Sequence, residues 1–193
     1  MVDIIVKIME VIDKVVNNGH PILSLVVVVA VIAIIIWIKS RIDEKKGINS
    51  PEKQRVKEIL QKITQEQEDY DEYIPIYAYR RQNYGRIVES WHYAIALTES
   101  RMYVVPLIFG NKEIGYSKVS VIPKEYLSKI DTGKPGDALQ HLKFYDQNKD
   151  VIFEVTVEEK NTKFDKTYPV NIMQIEEARA FVERIRQWQR QVC

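Results

Sequence analysis

The chain has 193 residues, of which 46% are apolar and 28% are charged, with 28 Lys and Arg against 27 Asp and Glu. This composition excludes a chain that is disordered throughout, and the near-zero net charge argues against a nucleic-acid binder that works through bulk positive charge. The single cysteine, Cys193, excludes a disulfide within one chain and a metal site built from several thiolates.

Residues 1–20 have the pattern of a short amphipathic helix. Its apolar residues recur at helical spacing, at Val2, Ile5, Met9, Ile12 and Val16. The sequence Asn17-Asn18-Gly19 stops the helix, and Pro21 suits the first turn of the next one. Three interpretations stay open: a helix that lies on a membrane surface, a seam for homo-oligomerisation, or a tail without a role beyond biogenesis.

A strongly apolar run follows. Residues 22–38 read ILSLVVVVAVIAIIIWI, in which Ser24 is the only polar side chain. As a helix this run spans about 25 Å, just enough for the hydrocarbon core of a bilayer. A cleaved signal peptide is disfavoured, because the start leans acidic and no small-residue cleavage site follows Trp37. We therefore predict an uncleaved transmembrane helix over residues 21–39.

The basic residues around this run predict its orientation. Only Lys7 and Lys14 precede it, whereas seven basic residues follow within 39–57. The positive-inside rule therefore places the N-terminus outside the cell membrane and the C-terminal part in the cytoplasm.

Residues 40–69 are predicted to hold a charged linker and an amphipathic helix. Ser50 and Pro51 have the residue types of a helix N-cap and a first helical position. One apolar stripe follows, formed by Val56, Ile59, Leu60 and Ile63. We expect this stripe to dock on the chain's own domain, the alternative being a coiled coil with a partner.

From Tyr70 the apolar period changes to two, which is typical of strands. Seven short strands are expected, around Ile76, Ile95, Val104, Val121, Phe144, Val155 and Val170. A closing helix is predicted from the spacing of Ile175, Ala178, Phe181, Val182, Ile185 and Trp188. The expected fold class is α+β: a seven-stranded antiparallel barrel or sandwich that a C-terminal helix caps, preceded by the transmembrane helix.

This order of elements resembles the pleckstrin-homology-like fold, including its GRAM-type and bacterial members. The stretch from Tyr93 to Val104, with Leu97-Thr98-Glu99-Ser100-Arg101-Met102-Tyr103, is similar to a strand–turn–strand hairpin common in the bacterial members. Trp188 falls where the terminal helix of the family carries a tryptophan. The resemblance covers residues 70–193 and implies a binding or scaffolding module.

The same resemblance draws attention to Arg80, Arg81 and Arg86, after the expected first strand. Family members that bind phosphoinositides carry spaced basic residues in the first loop. Three guanidinium groups there would clasp an anionic headgroup or a partner. The alternative is an ordinary solvated turn.

No catalytic motif occurs in the sequence. Among the histidines, His20 is expected on the other side of the membrane from His92 and His141. The sequence therefore predicts a membrane-anchored, non-catalytic binding module, with a protein or an anionic lipid as ligand and no cofactor, metal or nucleic acid. The alternative is a membrane-bound enzyme whose site combines His92 and His141 with carboxylates.

Overall fold

The computed structural model describes residues 21–85, 87–110, 113–132, 139–163 and 168–192, apart from the side chains of residues 21–25, 27, 43, 44 and 87. The expected helix over residues 1–20, with His20, lies outside the described residues, as do Arg86 and Cys193. The chain divides into two compact units, Met1–Asp43 and Glu44–Cys193.

Helix α1 extends over Pro21–Ile48. The charged residues 39–48, which the sequence suggested as a linker, are therefore helical. In the first unit, apolar side chains such as Val26, Val29 and Ile35 are more than half exposed, and the guanidinium of Arg41 lies 5.7 Å from the ring centre of Trp37. Among the residues whose side chains the structure describes, no helix is both long enough and apolar enough to span a membrane.

The second unit is α+β, as predicted at the level of fold class. It begins with the end of α1 and with helix α2, Pro51–Glu66, whose N-cap is Ser50. The Ser50 hydroxyl accepts a hydrogen bond from the backbone N–H of Lys53, and Pro51 occupies the first helical position. The predicted start of this helix is confirmed.

Within the described residues, ten strands and a closing helix follow. The strands are β1 Ile74–Tyr84, β2 Ile87–Leu97, β3 Arg101–Phe109, β4 Ile114–Tyr116, β5 Ser120–Pro123, β6 Leu127–Asp131, β7 Leu139–Asp146, β8 Val151–Glu158, β9 Lys160–Asn161 and β10 Ile172–Met173. A 3-10 turn, Lys124–Tyr126, separates β5 from β6. Helix α3, Ile175–Val192, closes the described chain as predicted.

Eight of these strands form one antiparallel sheet. Its order is β4-β3-β2-β1-β8-β7-β6, and β5 also pairs with β3. Two of these strands, β4 and β6, were not expected from the sequence. The strand expected around Val170 is reduced to β10, which pairs only with β9.

Two apolar clusters lie on opposite sides of strands β1–β3. The inner cluster joins these strands to β6–β8 and α3, and includes Trp188, which is 1% exposed. The outer cluster joins Tyr77, Ala94, Tyr103 and neighbouring residues to α2. The apolar stripe of α2 therefore packs on its own domain, which confirms that interpretation.

The end of α1 and the start of α2 both lie against Met173 of β10. Gly47 is buried, and a Cβ atom there would lie 2.6 Å from Cγ of Met173, so the close approach requires glycine. Lys53 joins α2 to α3, because its ammonium donates to the carbonyl of Met173 and pairs with Glu177, both at 2.7 Å.

Candidate functional site

We call the junction of strands β1 and β8 the seam. Along the strands, the seam is closed on one side of the Tyr79–Thr156 pair and open on the other. Only one residue pair joins the two strands, Tyr79 with Thr156. All other strand neighbours in the large sheet pair over at least three positions. The sheet is therefore least continuous at this seam.

On the closed side, the side chain of Gln174 takes the place of the missing backbone pairs. Its amide oxygen accepts the N–H of Tyr77 at 2.9 Å, and its amide nitrogen donates to the carbonyls of Tyr77 and Glu158 at 2.7 and 2.8 Å. Gln174 is 2% exposed. One buried side-chain amide thus provides hydrogen-bond partners for three backbone groups, because buried N–H and C=O groups need such partners.

On the open side, the two strands diverge beside a groove of about 480 Å³. Its walls come from five strands and consist of Arg80, Tyr93, Val104, Pro106, Ser120, Ile122, Val151, Ile152, Phe153 and Glu154. We call this the seam groove. Tyr93 and Phe153 meet edge to face in its wall, with ring centres 5.4 Å apart. The groove is therefore mostly apolar, with one basic and one acidic side chain.

One carboxylate at the seam groove pairs with two basic side chains. Arg80 and Lys143 both contact Glu154, at 3.7 and 3.3 Å. Arg80 also lies 5.8 Å from the ring centre of Trp91. Two cations on one carboxylate leave positive charge beside the groove.

The rim of the groove exposes large apolar side chains. Val151, Ile152 and Trp91 are 49%, 43% and 38% exposed. Arginine and tryptophan, which lie side by side here, are residue types enriched in binding hot spots.

The three arginines expected in one loop are placed differently. Strand β1 continues to Tyr84, so Arg80 and Arg81 lie in a strand rather than in a loop. Successive strand residues point to opposite faces, so these two guanidinium groups do not converge. Arg80 reaches the seam groove, Arg81 is exposed, and Arg86 lies outside the described residues.

His92 and His141 lie on one face of the sheet but not together. The register places His92 opposite Tyr79, Tyr79 opposite Thr156, and Thr156 opposite His141. Three strand spacings, about 14 Å, separate the two histidines. His92 Nδ1 is 2.7 Å from the Tyr77 hydroxyl, whereas His141 Nδ1 is 2.8 Å from the Thr156 hydroxyl.

Burial shifts the pKa values of His92 and of two tyrosines, Tyr79 and Tyr168. It lowers the pKa of His92 and raises the pKa of Tyr79 to about 12, with the Glu158 carboxylate adding to the second shift. Tyr79 and Tyr168 donate hydrogen bonds to the two oxygens of Glu158, and burial, followed by these contacts, also raises the pKa of Tyr168. The tyrosines stay protonated near neutral pH and serve as donors that hold β8 in place.

Apart from Arg80, sequence reasoning missed the residues of this site. Tyr93 and Phe153 have the strand periodicity of ordinary core residues, and Gln174 directly precedes α3 like any polar residue at a helix start. Their role depends on β1 and β8 being neighbours, which no local pattern reports. Within the described residues, no group of three or more His, Cys, Asp or Glu side chains is arranged to hold a metal ion.

No protein-family model matches the sequence, and no curated protein matches it.

Proposed function

We propose that the protein is a single-pass, membrane-anchored binding module with a cytoplasmic, pleckstrin-homology-like domain whose ligand site is the seam groove. The observation that carries this proposal is the open side of the seam, where apolar walls, an exposed apolar rim and Arg80 occur together. The ligand that suits this composition best is a protein.

The strand order supports the pleckstrin-homology-like part of the proposal. Strands β1–β3, with β4 and β5, occupy one half of the sheet and β6–β8 the other, and an amphipathic helix follows. The resemblance implied an antiparallel sheet followed by a C-terminal helix, and these coarser features support it.

The membrane anchor rests on the sequence. Residues 22–38 contain one polar side chain, and the basic residues are concentrated after them. This arrangement supports an external N-terminus and a cytoplasmic domain. The two histidines lie too far apart for one catalytic centre, which supports a non-catalytic role.

Protease treatment of intact cells or spheroplasts tests the topology. We expect the domain from Glu44 onward to stay intact until the membrane is lysed. Digestion of that domain without lysis would refute the orientation.

Site-specific photo-cross-linking in cells tests the groove. A photoreactive residue at position 152, on the rim, is compared with one at position 126, where Tyr126 is 62% exposed and does not line the groove. We expect discrete protein adducts from position 152 only, and their loss in an Arg80→Glu background. Equal adducts from both positions, or none from either, would contradict the proposed site.

A further inference from the structure

The open side of the seam presents a strand edge of β8 that pairs with nothing among the described residues. In an antiparallel pair, successive residues direct their backbone groups to alternate sides. The backbone N–H and C=O of Tyr77 point away from β2, toward Gln174, so Tyr79 two residues later points toward β8. Its partner Thr156 therefore points toward β1, and the backbone of Glu154 points in the same direction, into the space where β1 has diverged.

A β-bulge at the start of β8 widens this edge. Phe153 is opposite Phe144 and Val151 is opposite Tyr145, so Ile152 has no residue opposite it on β7. Bulges bend a strand and leave the extra residue outside the ladder. The backbone groups of Glu154 and of the bulged residue Ile152 are thus available on the groove side, whereas those of Phe153 face β7. Four successive residues, Val151 to Glu154, line the groove.

The side chains beside this edge fit an extended peptide. A strand added along β8 would point every second side chain toward the apolar wall of Tyr93, Ile122 and Phe153. The other side chains would face the rim, where Arg80 and Lys143 share the carboxylate of Glu154. An acidic side chain of the peptide would pair with Arg80 there, because the contact of Arg80 with Glu154 is longer than that of Lys143. Lys143 would stay paired with Glu154.

We propose that the seam groove binds an extended peptide segment of a partner protein by strand addition to β8, and that the segment alternates apolar residues with at least one Asp or Glu. This inference rests on the proposed function, since it assigns the ligand chemistry of the same groove. Exposed strand edges are normally covered in native proteins, and an added strand would cover this one.

Selection from a displayed peptide library tests the inference on the full chain purified in detergent. Peptides of about eight residues, a common strand length, are selected on the natural chain and counter-selected on the Arg80→Glu and Ile152→Lys variants. We expect an enriched pattern of alternating apolar residues with Asp or Glu. Failure to enrich any pattern over the two variants would overturn the inference.

Backbone methylation of a selected peptide then tests strand pairing directly. Methyl groups on alternate backbone nitrogens block one edge of the peptide and leave the other edge free. We expect methylation of one alternate set to weaken binding by about tenfold or more per lost hydrogen bond, and methylation of the other set to have little effect. Equal effects of the two sets would refute strand addition.

The controls separate the ligand classes and the two proposals. Arg190→Glu makes the same charge change at an exposed arginine of α3 that does not line the groove, and it should leave peptide binding unchanged. Displacement of the peptide by glycerol phosphate at low concentration would overturn the inference in favour of an anionic headgroup. If adducts from position 152 persist while methylation has no positional effect, the proposed function stands and strand addition fails; if the adducts are absent, the function itself fails.

Discussion

On both sides of the β1–β8 seam the backbone pairs between the two strands are missing, but the two sides differ in what replaces them. On one side the ladder is completed by Gln174, a single buried amide that serves three backbone groups. On the other side the strands part, and apolar side chains line the space between them. The closed side therefore fixes the position of β1 relative to β8, whereas the open side leaves a space between them.

The largest difference should appear between a tryptophan of the inner cluster and a tryptophan at the rim of the open side. Trp188→Ala empties the largest buried side chain of the inner cluster, and we expect it to lower the free energy of unfolding by about 3–5 kcal/mol. Trp91→Ala, at the partly exposed rim, should cost about 1 kcal/mol or less. Urea denaturation of both variants, followed by far-UV circular dichroism, measures this; similar losses would contradict the distinction.

Removing the amide of Gln174 should have the next largest effect. Gln174→Ala leaves three buried backbone groups without partners, and we expect a loss of about 2–4 kcal/mol. Gln189→Ala is the matched control, since Gln189 makes one hydrogen bond, to the carbonyl of Ile130 at 2.8 Å, and should cost about 1 kcal/mol. If the two variants unfold at the same urea concentration, Gln174 does not close the seam.

A smaller effect is expected from the pH dependence of stability. Burial lowers the pKa of His92 below 6.5, so the folded protein binds this proton less readily than the unfolded chain does. Stability should be complete above about pH 6.5 and should fall as the pH drops toward the lowered pKa, by at most about 1.4 kcal/mol per pH unit. His92→Gln should remove this slope in denaturation curves, whereas His141→Gln should retain it; the opposite result would refute the assignment to His92.

The smallest effect is expected at the rim of the open side. Ile152→Lys places a charge at a residue that is 43% exposed, so the free energy of unfolding should change by about 0.5 kcal/mol or less. The same change at Val155, which is 1% exposed on the same strand, should prevent stable folding. Thermal denaturation distinguishes the two, and a large loss from Ile152→Lys would show that the rim belongs to the core.

Much of the fold could be predicted, because its helices carry local signals. Ser50 and Pro51 have the residue types of a helix start, and the apolar stripe of α3 has a period that a helix alone satisfies. Strand β6 could not be predicted in this way. A bulge between Leu127 and Lys129 separates its buried residues Leu127 and Ile130 by three positions, which breaks the period of two.

The candidate site could be predicted only in part. Arg80 was selected as a binding residue for its charge, and it does line the groove. The groove itself results from the pairing of β1 with β8 at a single position. Such a contact between distant parts of the chain leaves no periodic trace, and the polar residues from Arg80 to Tyr84 do not reveal that β1 continues through them.

The closure of the seam by Gln174 has a consequence for biosynthesis. Tyr77 and Gln174 are 97 residues apart, and Lys53 and Met173 are 120 residues apart. Neither pair can form until Met173 and Gln174 have left the ribosome, and folds dominated by such distant contacts form slowly. We therefore expect the nascent domain to carry an uncovered β1 edge until residues 173 and 174 emerge, and to acquire protease resistance only after that point.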